Sequence, residues 1–235
     1  MILFIRHGER ADMVDNPTER KKVLLKFDPP LTEKGECQAK ITGEQLRIQI
    51  EEFANQKQMK TYDLSINFMS SPFLRCIQTA LILMKEIPNN SNLYIQDEIG
   101  ELMYSHSFNQ NVLMQLHLNT VQHPILTIDY IKGIQIRKEK LFNANLPQPK
   151  YPEEQNYCQL RVGKFFQELL THMKQSSNKK NSIYICITHQ GVVSLTLNIQ
   201  NVKSPFLVGQ CGLSSFILDD DGLLKNQFKG ESLWS

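Results

Sequence analysis

ILFIRHGER, residues 2–10, passes from an apolar run directly into a charged turn. A short run rich in branched and aromatic apolar residues predicts a strand. The predicted strand ends at Ile5, so Arg6 and His7 stand at its carboxyl end. Whether His7 is a reactive group or an ordinary surface histidine depends on what the fold places beside this strand end.

Further strands are predicted along the chain from other short apolar runs. These runs lie at residues 63–69, 94–95 and 182–187, and the last of them has the longest uninterrupted apolar stretch. A hairpin is also predicted around residues 219–222, where acidic residues and a glycine mark a turn.

Helices are predicted between these strands, where apolar residues recur three and four positions apart. The first follows an N-cap at Thr32, and the second follows a turn at residues 70–72 with a capping serine and a first-turn proline. Others cover residues 160–173 and the segment after Gly191, whereas residues 11–30 are polar, rich in proline and predicted to form a loop. The alternation predicts a three-layer α/β/α fold with a largely parallel central sheet.

The domain organisation follows from length and from one irregular segment. The chain has 235 residues, enough to bury one large core. Residues 102–150 show no clean period and end in a proline-rich stretch. We predict one domain over residues 1–235, with an insertion or cap at about 102–150. Together with residues 11–30, we expect this segment to cover the functional pocket and to determine substrate specificity.

Composition excludes several classes of partner. A formal net charge of +2 predicts no strong nonspecific attraction to nucleic acid or to a membrane surface. No apolar stretch approaches the roughly 20 residues that span a bilayer, and no signal-peptide pattern precedes the first strand. The five cysteines are odd in number and form no CxxC pair, which predicts free thiols in a reducing compartment. A cytoplasmic location is therefore expected.

Charged side chains follow three of the predicted strands. Arg6 and His7 follow the first, Arg75 lies at the start of the helix after the second, and His189 follows the strand at 182–187. Ligands of an open α/β sheet collect at the carboxyl ends of parallel strands, where helix N-termini present backbone donors. Guanidinium and imidazole groups at one such edge predict a site for a compact dianion, and phosphate is the natural candidate.

These residues resemble the signature of the histidine phosphatases, the phosphoglycerate-mutase-like superfamily. That family has RHGE near its N-terminus, here residues 6–9, and a second histidine after a late strand, here His189. The resemblance implies a phosphoglycerate-mutase-like α/β fold and chemistry on phosphate esters.

Three longer stretches are more closely similar to the phosphatase domain of the suppressor-of-T-cell-receptor-signalling (TULA) proteins. They are RHGERAD at 6–12, DPPLTEKGECQAKITGEQL at 28–46 and SSPFLRCIQTA at 70–80. The resemblance implies phosphotyrosine peptides or a small phosphate ester as substrate. Dimerisation among these relatives also allows a homodimer here.

The resemblance assigns roles to the residues at the strand ends. It implies that His7 is the nucleophile and forms a phosphohistidine, which requires a neutral imidazole with a free lone pair. Arg6, Arg10 and Arg75 would hold the phosphoryl oxygens and, as positive charges, would lower the pKa of His7. His189 would donate to the equatorial oxygens. No metal or cofactor is expected, because catalysis of this kind is mostly positioning and electrostatics.

A general acid must protonate the leaving oxygen, and the family has a glutamate after its second strand–helix unit. IQDEIGELMY, residues 95–104, offers Glu98 and Glu101. Glu98 is the first choice, because it follows a short strand and fits the family's pattern of an apolar residue, any residue and glutamate. Glu101 stays open as the alternative, because TULA-type domains carry two glutamates here.

Other phosphate chemistries find less support. No cysteine has an arginine six positions later, and no P-loop pattern occurs. Within the family the alternative is a phosphoglycerate mutase, but those enzymes typically continue RHGE with serine and then asparagine. The continuation Glu9-Arg10-Ala11-Asp12 favours a phosphatase. A non-catalytic phosphate-binding protein on the same fold is the second alternative, against which the retained histidines, arginines and acid candidates argue.

Overall fold

A single sheet contains all the strands of the computed structural model, which describes residues 1–87, 92–119, 125–126, 131–139, 141, 145–175, 181–202, 207–219 and 223–234. The strands are β1 (Ile2–Arg6), β2 (Ser65–Ser70), β3 (Asn92–Ile95), β4 (Gln135–Arg137), β5 (Ser182–Thr188), β6 (Gly212–Leu218) and β7 (Leu224–Ser232). Their spatial order is β4-β3-β2-β5-β1-β6-β7. The five strands from β4 to β1 are parallel, whereas β6 runs antiparallel to both β1 and β7.

Helices cover both faces of this sheet. The described helices are α1 (Pro17–Arg20), α2 (Glu33–Gln56), α3 (Leu74–Glu86), α4 (Leu113–Asn119), α5 (Gln155–Gln175) and α6 (Gln190–Ile199). The apolar sides of α2 and α3 contribute to one buried cluster, and those of α5 and α6 contribute to another. The predicted three-layer fold with a mostly parallel sheet is confirmed.

The first strand explains why the opening stretch is apolar without alternation. Leu3 and Ile5 belong to the cluster with α2 and α3, whereas Ile2 and Phe4 belong to the cluster on the opposite face. All four side chains are at most 1% exposed. A strand buried on both faces has no solvent side, so every position is apolar.

Helix α2 begins in close contact with the turn that carries His7. Thr32 is its N-cap, as predicted, and its Oγ1 accepts from the Gly35 backbone N–H at 2.9 Å. A Cβ atom at Gly8 would come within 3.0 Å of the Gly35 backbone, and one at Gly35 would come equally close to that of Glu9. Both obstacles are main-chain atoms that cannot rotate away, so glycine is required at both positions.

The predicted loop over residues 11–30 is wrong in one place. Residues Pro17–Arg20 form α1, which begins with a proline and is capped by Asn16. The Asn16 side chain accepts from the backbone N–H of Thr18 at 2.9 Å. This local bond and the fixed φ of proline stabilise a single turn.

The predicted capping serine of α3 is also wrong. The helix begins at Leu74 with Phe73 at the N-cap position, and that side chain makes no capping bond. Asp28 supplies the cap instead, because its Oδ1 accepts from the Leu74 backbone N–H at 2.8 Å. Ser71 is used elsewhere, since its hydroxyl contacts a histidine ring described below. The 46-residue separation puts Asp28 beyond any local capping pattern.

Residues 102–150 contribute to both the sheet and the core. Strand β4 extends the sheet beyond β3, and Phe108, Val112 and Leu116 are buried. Residues 120–124, 127–130, 140 and 142–144 of this segment lie outside the described residues. That the whole segment forms a cap stays a prediction.

The last two strands form the predicted hairpin. Strands β6 and β7 pair antiparallel, with Leu218 opposite Leu224, while residues 220–222 of the turn lie outside the described residues. All five cysteines are free thiols, and Cys37 is the exposed one. Among the described helices, none combines the length and apolarity needed to cross a bilayer.

Candidate active site

The carboxyl ends of β1, β2 and β5 meet at one edge of the sheet. His7 follows β1, Arg75 lies in the first turn of α3 after β2, and His189 follows β5. The ring centroids of His7 and His189 are 5.4 Å apart, and Nη2 of Arg75 lies 3.2 Å from Nδ1 of His189. The structure thus brings the three predicted strand ends together in one site.

A cavity of about 530 Å³ opens over His7 and Arg75, whereas the fully buried His189 is not among its lining residues. Arg6, His7, Arg10 and Arg75 line its floor, and Glu101 contributes a carboxylate. The floor is therefore strongly cationic. Four aromatic residues also line the cavity, Phe27, Tyr104, His106 and Phe108, and they are called its aromatic wall.

His7 has the protonation state that a nucleophile needs. Its Nδ1 lies 2.7 Å from the carbonyl oxygen of Gly8, which can only accept, so Nδ1 carries the proton and Nε2 keeps its lone pair. Burial, together with the charge of Arg75, lowers the pKa of His7 well below its usual range. At neutral pH, His7 is therefore an uncharged imidazole with its Nε2 lone pair retained.

Arg75 is buried but has donors to spare. It is 1% exposed, and its Nε and Nη1 atoms have no hydrogen-bond partner among the described residues. Asp28 Oδ1 is 3.9 Å from Nη1, and the Phe73 ring supports the guanidinium at 4.4 Å. Buried donors without partners are costly, so this arrangement is typical of a site that binds an anion.

His189 is fully buried and has a hydrogen-bond partner on each ring nitrogen. Ser71 Oγ lies 2.8 Å from Nε2, and Glu101 Oε2 lies 3.1 Å from Nδ1. Nη2 of Arg75, which can only donate, lies 3.2 Å from the same Nδ1, so this ring nitrogen faces both a donor and an acceptor. Burial lowers the pKa of His189 to about 4, although Glu101 opposes this shift. His189 is therefore a neutral imidazole.

Arg6 and Arg10 are each anchored to the protein on one side. Nη1 of Arg6 donates to the Val208 carbonyl at 2.6 Å. Arg10 donates to both carboxylate oxygens of Asp12, at 3.0 and 2.6 Å. These anchors hold both guanidiniums in place beside the cavity, which reduces the entropy lost when an anion binds.

The two glutamates that were predicted as alternatives lie in different environments. Glu101 lines the cavity, with Oε2 3.4 Å from Nη2 of Arg75 and 3.1 Å from His189. Burial alone would raise the pKa of Glu101, but His189 and Arg75 outweigh it and hold this pKa well below its usual range. Glu98 is fully buried, and its Oε1 accepts from Gln148 at 2.7 Å. Of the two carboxylates, the structure thus brings Glu101 into contact with the predicted phosphate-binding residues.

Two residues that hold the side chains of this site in place, Asp28 and Ser71, were not predicted from the sequence. Asp28 caps α3 and lies close to Arg75, while Ser71 orients the His189 ring. Both lie in the quoted stretches at 28–46 and 70–80, which were the only signal for them. Their partners are 46 and 118 positions away along the chain, so no local pattern could identify the contacts.

Comparison with known proteins identifies the class to which this site is similar. The model of the histidine phosphatase superfamily (branch 1) matches residues 2–108, which include His7, Arg75 and Glu101. This is slightly less than half of the chain, and His189 lies beyond it. Among curated proteins, none matches the sequence significantly.

Several solved structures with a similar fold are phosphatases. The ecdysone phosphate phosphatase from Bombix mori, in complex with tungstate, has a TM-score of 0.64 at 15% identity, covering 95% of this chain and 91% of that one. A mycobacterial glucosyl-3-phosphoglycerate phosphatase with inorganic phosphate has a TM-score of 0.55 at 13% identity, covering 100% and 98%. The protein histidine phosphatase SixA, complexed with tungstate, has a TM-score of 0.51 at 14% identity, covering 97% and 94%. These similarities confirm the phosphoglycerate-mutase-like fold.

Asp28→Asn is expected to tighten tungstate binding at pH 7.5 by about tenfold. Burial raises the pKa of Asp28 to about 6, although Arg75 lowers it, so the carboxylate is charged at pH 7.5 and opposes an anion on Arg75. Asparagine keeps an acceptor for the Leu74 N–H but carries no charge. At pH 5 the wild-type Asp28 is itself neutral, and the two proteins should bind equally well.

Calorimetric titration with tungstate at the two pH values measures this difference. Asp15→Asn is the matched control, because the Asp15 side chain is fully exposed. The expectation would be contradicted if the ratio of the two tungstate affinities, Asp28→Asn to wild type, is the same at pH 5 and pH 7.5.

Proposed function

We propose that this protein is a phosphomonoester hydrolase that acts through a phosphohistidine intermediate on His7. The observation that carries the proposal is the neutral His7 imidazole beside the unpartnered donors of Arg75, in one cationic cavity. The family match over residues 2–108 supports it. Tungstate or phosphate in the three similar phosphatases also supports it.

The cavity floor offers donors for a phosphate group from several directions. The Arg75 guanidinium would donate to the phosphoryl oxygens, and Arg6 and Arg10 would neutralise the remaining charge. Gln190 and Gly191, at the N-terminus of α6, also line the cavity. Backbone N–H groups at a helix start favour an anion, so they would add to the binding.

Binding of the dianion would also provide Glu101 with its proton. In the free site the Glu101 carboxylate lies 3.1 Å from Nδ1 of His189 and 3.4 Å from Nη2 of Arg75. A phosphoryl oxygen that takes over these donors removes the interactions that lower the pKa of Glu101 and places negative charge beside it. The pKa of Glu101 then rises, and the carboxyl group can act as a general acid.

The reaction proceeds in two transfers. Nε2 of His7 forms a bond to phosphorus while the ester P–O bond breaks, and the proton of Glu101 passes to the leaving oxygen. Water then attacks the phosphohistidine, gives a proton to the Glu101 carboxylate and releases inorganic phosphate with neutral His7. The arginines and the N–H of His189 stabilise the charge on the equatorial oxygens in both transfers.

The arginines supply the positive charge that phosphoryl transfer requires. We therefore propose that no metal ion or cofactor takes part in the reaction. A rate that is unchanged in excess EDTA would support this part of the proposal, and a rate restored only by added divalent metal would contradict it.

The aromatic wall favours a substrate with a planar leaving group. Tyr104 and His106 stack with ring centroids 4.8 Å apart, and Phe27 and Phe108 line the same cavity. Offset stacking on such rings stabilises an aromatic leaving group. Lys26 also lines the cavity and would favour acidic groups near the phosphate. We propose phosphotyrosine in a peptide or a small aryl phosphate ester, in line with the resemblance to the TULA domain.

A phosphate-release screen tests the proposed function. The panel contains phosphotyrosine peptides, phosphoglycerates, sugar phosphates and nucleotides. A hydrolase releases phosphate from aryl esters, whereas a phosphoglycerate mutase interconverts phosphoglycerates and a binding protein does neither. Tight binding of tungstate without phosphate release from any substrate would overturn the proposal in favour of the binding protein.

Glu101→Gln is expected to lower kcat on phenyl phosphate by about 10² to 10⁴-fold, because an amide cannot protonate the leaving oxygen. The loss on 4-nitrophenyl phosphate should be much smaller, since its leaving oxygen is a far weaker base. Glu98→Gln makes the same change outside the cavity and is the matched control, so it should preserve the ratio of the two rates. The opposite result would assign the role of acid to Glu98.

A further inference from the structure

The backbone around Glu101 is held by donors from distant parts of the chain. Nη1 of Arg161 donates to the Glu98 carbonyl at 2.7 Å and approaches the Gly100 carbonyl at 3.4 Å. The Thr188 hydroxyl donates to the Ile99 carbonyl at 2.5 Å. Three consecutive carbonyls before Glu101 are thus bound by two buried side chains.

Arg161 is itself fixed by an ion pair. Its Nε and Nη2 donate to the two carboxylate oxygens of Glu153, at 2.8 and 2.7 Å, and both side chains are fully buried. The Glu153 backbone N–H donates to the Met103 carbonyl at 3.0 Å. The pair therefore binds the segment around Glu101 on both sides, before and after the residue.

We propose that Arg161, oriented by Glu153, and Thr188 are positioning residues that hold Glu101 where it can protonate the leaving oxygen. This inference rests on the proposed function, because it concerns the same general acid. For brevity, Arg161, Glu153 and Thr188 are called the carbonyl clamp.

Structural stabilisation alone does not account for the carbonyl clamp. A buried ion pair is weak evidence for stability, because well-packed apolar residues stabilise a core at least as well. Arg161 uses two of its nitrogens on Glu153 and directs the third at the carbonyls beside Glu101. A planar guanidinium can serve both partners at once, which an apolar residue or a lysine cannot.

Thr188 adds a second link between the end of β5, which carries His189, and the segment that carries Glu101. It immediately precedes His189, whose Nδ1 is 3.1 Å from Glu101 Oε2. The Thr188 hydroxyl therefore ties the end of β5 to the turn that carries Glu101. Loss of this bond would loosen the distance between His189 and Glu101 without removing either group.

The expected effect of the clamp depends on the leaving group. Thr188→Val removes the hydroxyl at nearly constant volume and should lower kcat on phenyl phosphate by about tenfold, since misplacement of a catalytic group is costly. The loss on 4-nitrophenyl phosphate should stay below about twofold, because its leaving oxygen depends less on the acid. Arg161→Lys, which keeps a positive charge near Glu153, should show the same selectivity.

Thr196→Val is the matched control. Thr196 is also a fully buried threonine whose hydroxyl donates to a backbone carbonyl, that of Val193 at 2.8 Å, and its other hydroxyl contact is Ser214 on β6. Thr196→Val should leave the ratio of the two rates at the wild-type value, even if it lowers thermal stability as much as Thr188→Val does.

Combination with Glu101→Gln separates positioning from general damage. If Thr188 acts through Glu101, the double variant should be no slower than Glu101→Gln on phenyl phosphate, because the acid is already absent. The inference would be overturned if the kcat losses of the two single variants multiply in the double variant. It would also be overturned if Thr188→Val lowers kcat equally on both substrates. Arg161→Lys decides the question by the same criteria if Thr188→Val does not fold.

The proposed acid and the clamp fail in distinguishable ways. A Glu101→Gln variant without leaving-group selectivity would overturn the role of Glu101 and, with it, the clamp. A selective Glu101→Gln combined with non-selective Thr188→Val and Arg161→Lys would overturn the clamp alone.

Discussion

His7→Ala is expected to abolish turnover of an aryl phosphate, with a loss of about 10⁴-fold or more, as for removal of other catalytic nucleophiles. The reason is that Nε2 of His7 is the atom proposed to form the bond to phosphorus, and its lone pair is retained because Nδ1 carries the proton. Steady-state hydrolysis of 4-nitrophenyl phosphate measures the loss. Rapid alkaline quenching followed by mass spectrometry should find phosphohistidine on the peptide with residue 7 of the wild type, and none in the variant.

A control must show that His7→Ala loses turnover because the nucleophile is absent and not because the binding site is damaged. His7→Ala retains Arg75 and His189, so it should still bind tungstate with an affinity within about tenfold of the wild type, because the charged donors dominate binding. Thermal unfolding gives a second control on the fold. Near-wild-type turnover by a folded His7→Ala protein would end the phosphohistidine proposal.

Arg75→Met is expected to lower kcat/KM by about 10³-fold, a loss of the size found when an arginine that stabilises a phosphoryl group is removed. Arg75 has two buried nitrogens without partners among the described residues, and its guanidinium is proposed to bind the phosphate group. Methionine fills similar space without charge or donors, so KM should rise and kcat should fall. Tungstate affinity should fall in parallel.

The pH profile provides a second signature of the Arg75 change. After burial, Arg75 is the main cause that lowers the pKa of His7. Removal of this positive charge raises the pKa of His7, and protonated His7 cannot attack phosphorus. The acidic limb of the kcat/KM profile should therefore move to higher pH in Arg75→Met.

Arg47→Met is the control for the loss of one arginine. Arg47 is half exposed on α2, and its ion pair with Glu51 is of the surface kind that contributes little. It should keep wild-type kinetics and an unchanged pH profile. An Arg75→Met protein with an unchanged KM and an unchanged acidic limb would contradict the proposed role of Arg75.

The fold was predictable wherever the signal was local. The apolar residues 2–5 and 182–187 predict buried strands by themselves, and Thr32 predicts the start of α2 because its capping partner is only three residues away. The predicted cap of α3 failed for the opposite reason. Its real partner, Asp28, reaches Leu74 from a loop far away in sequence.

The site was predictable to the same extent. Topology brings the ends of parallel strands to one edge, so the positions of His7, Arg75 and His189 could be expected together. The choice between Glu98 and Glu101 could not be made in this way. The two residues are three positions apart with the same side chain, and the sequence analysis placed Glu98 first.

The sequence by itself determined the strand and helix periods, the capping of α2 and the identity of the residues at the strand ends. These depend on interactions within a few residues or on a general rule of sheet topology. Only the tertiary structure decided which glutamate faces the cavity, which donors of Arg75 lack partners and why His7 is neutral. Those properties depend on burial and on contacts such as Arg161 with Glu98, 63 positions apart, and such contacts exist only once the elements have packed.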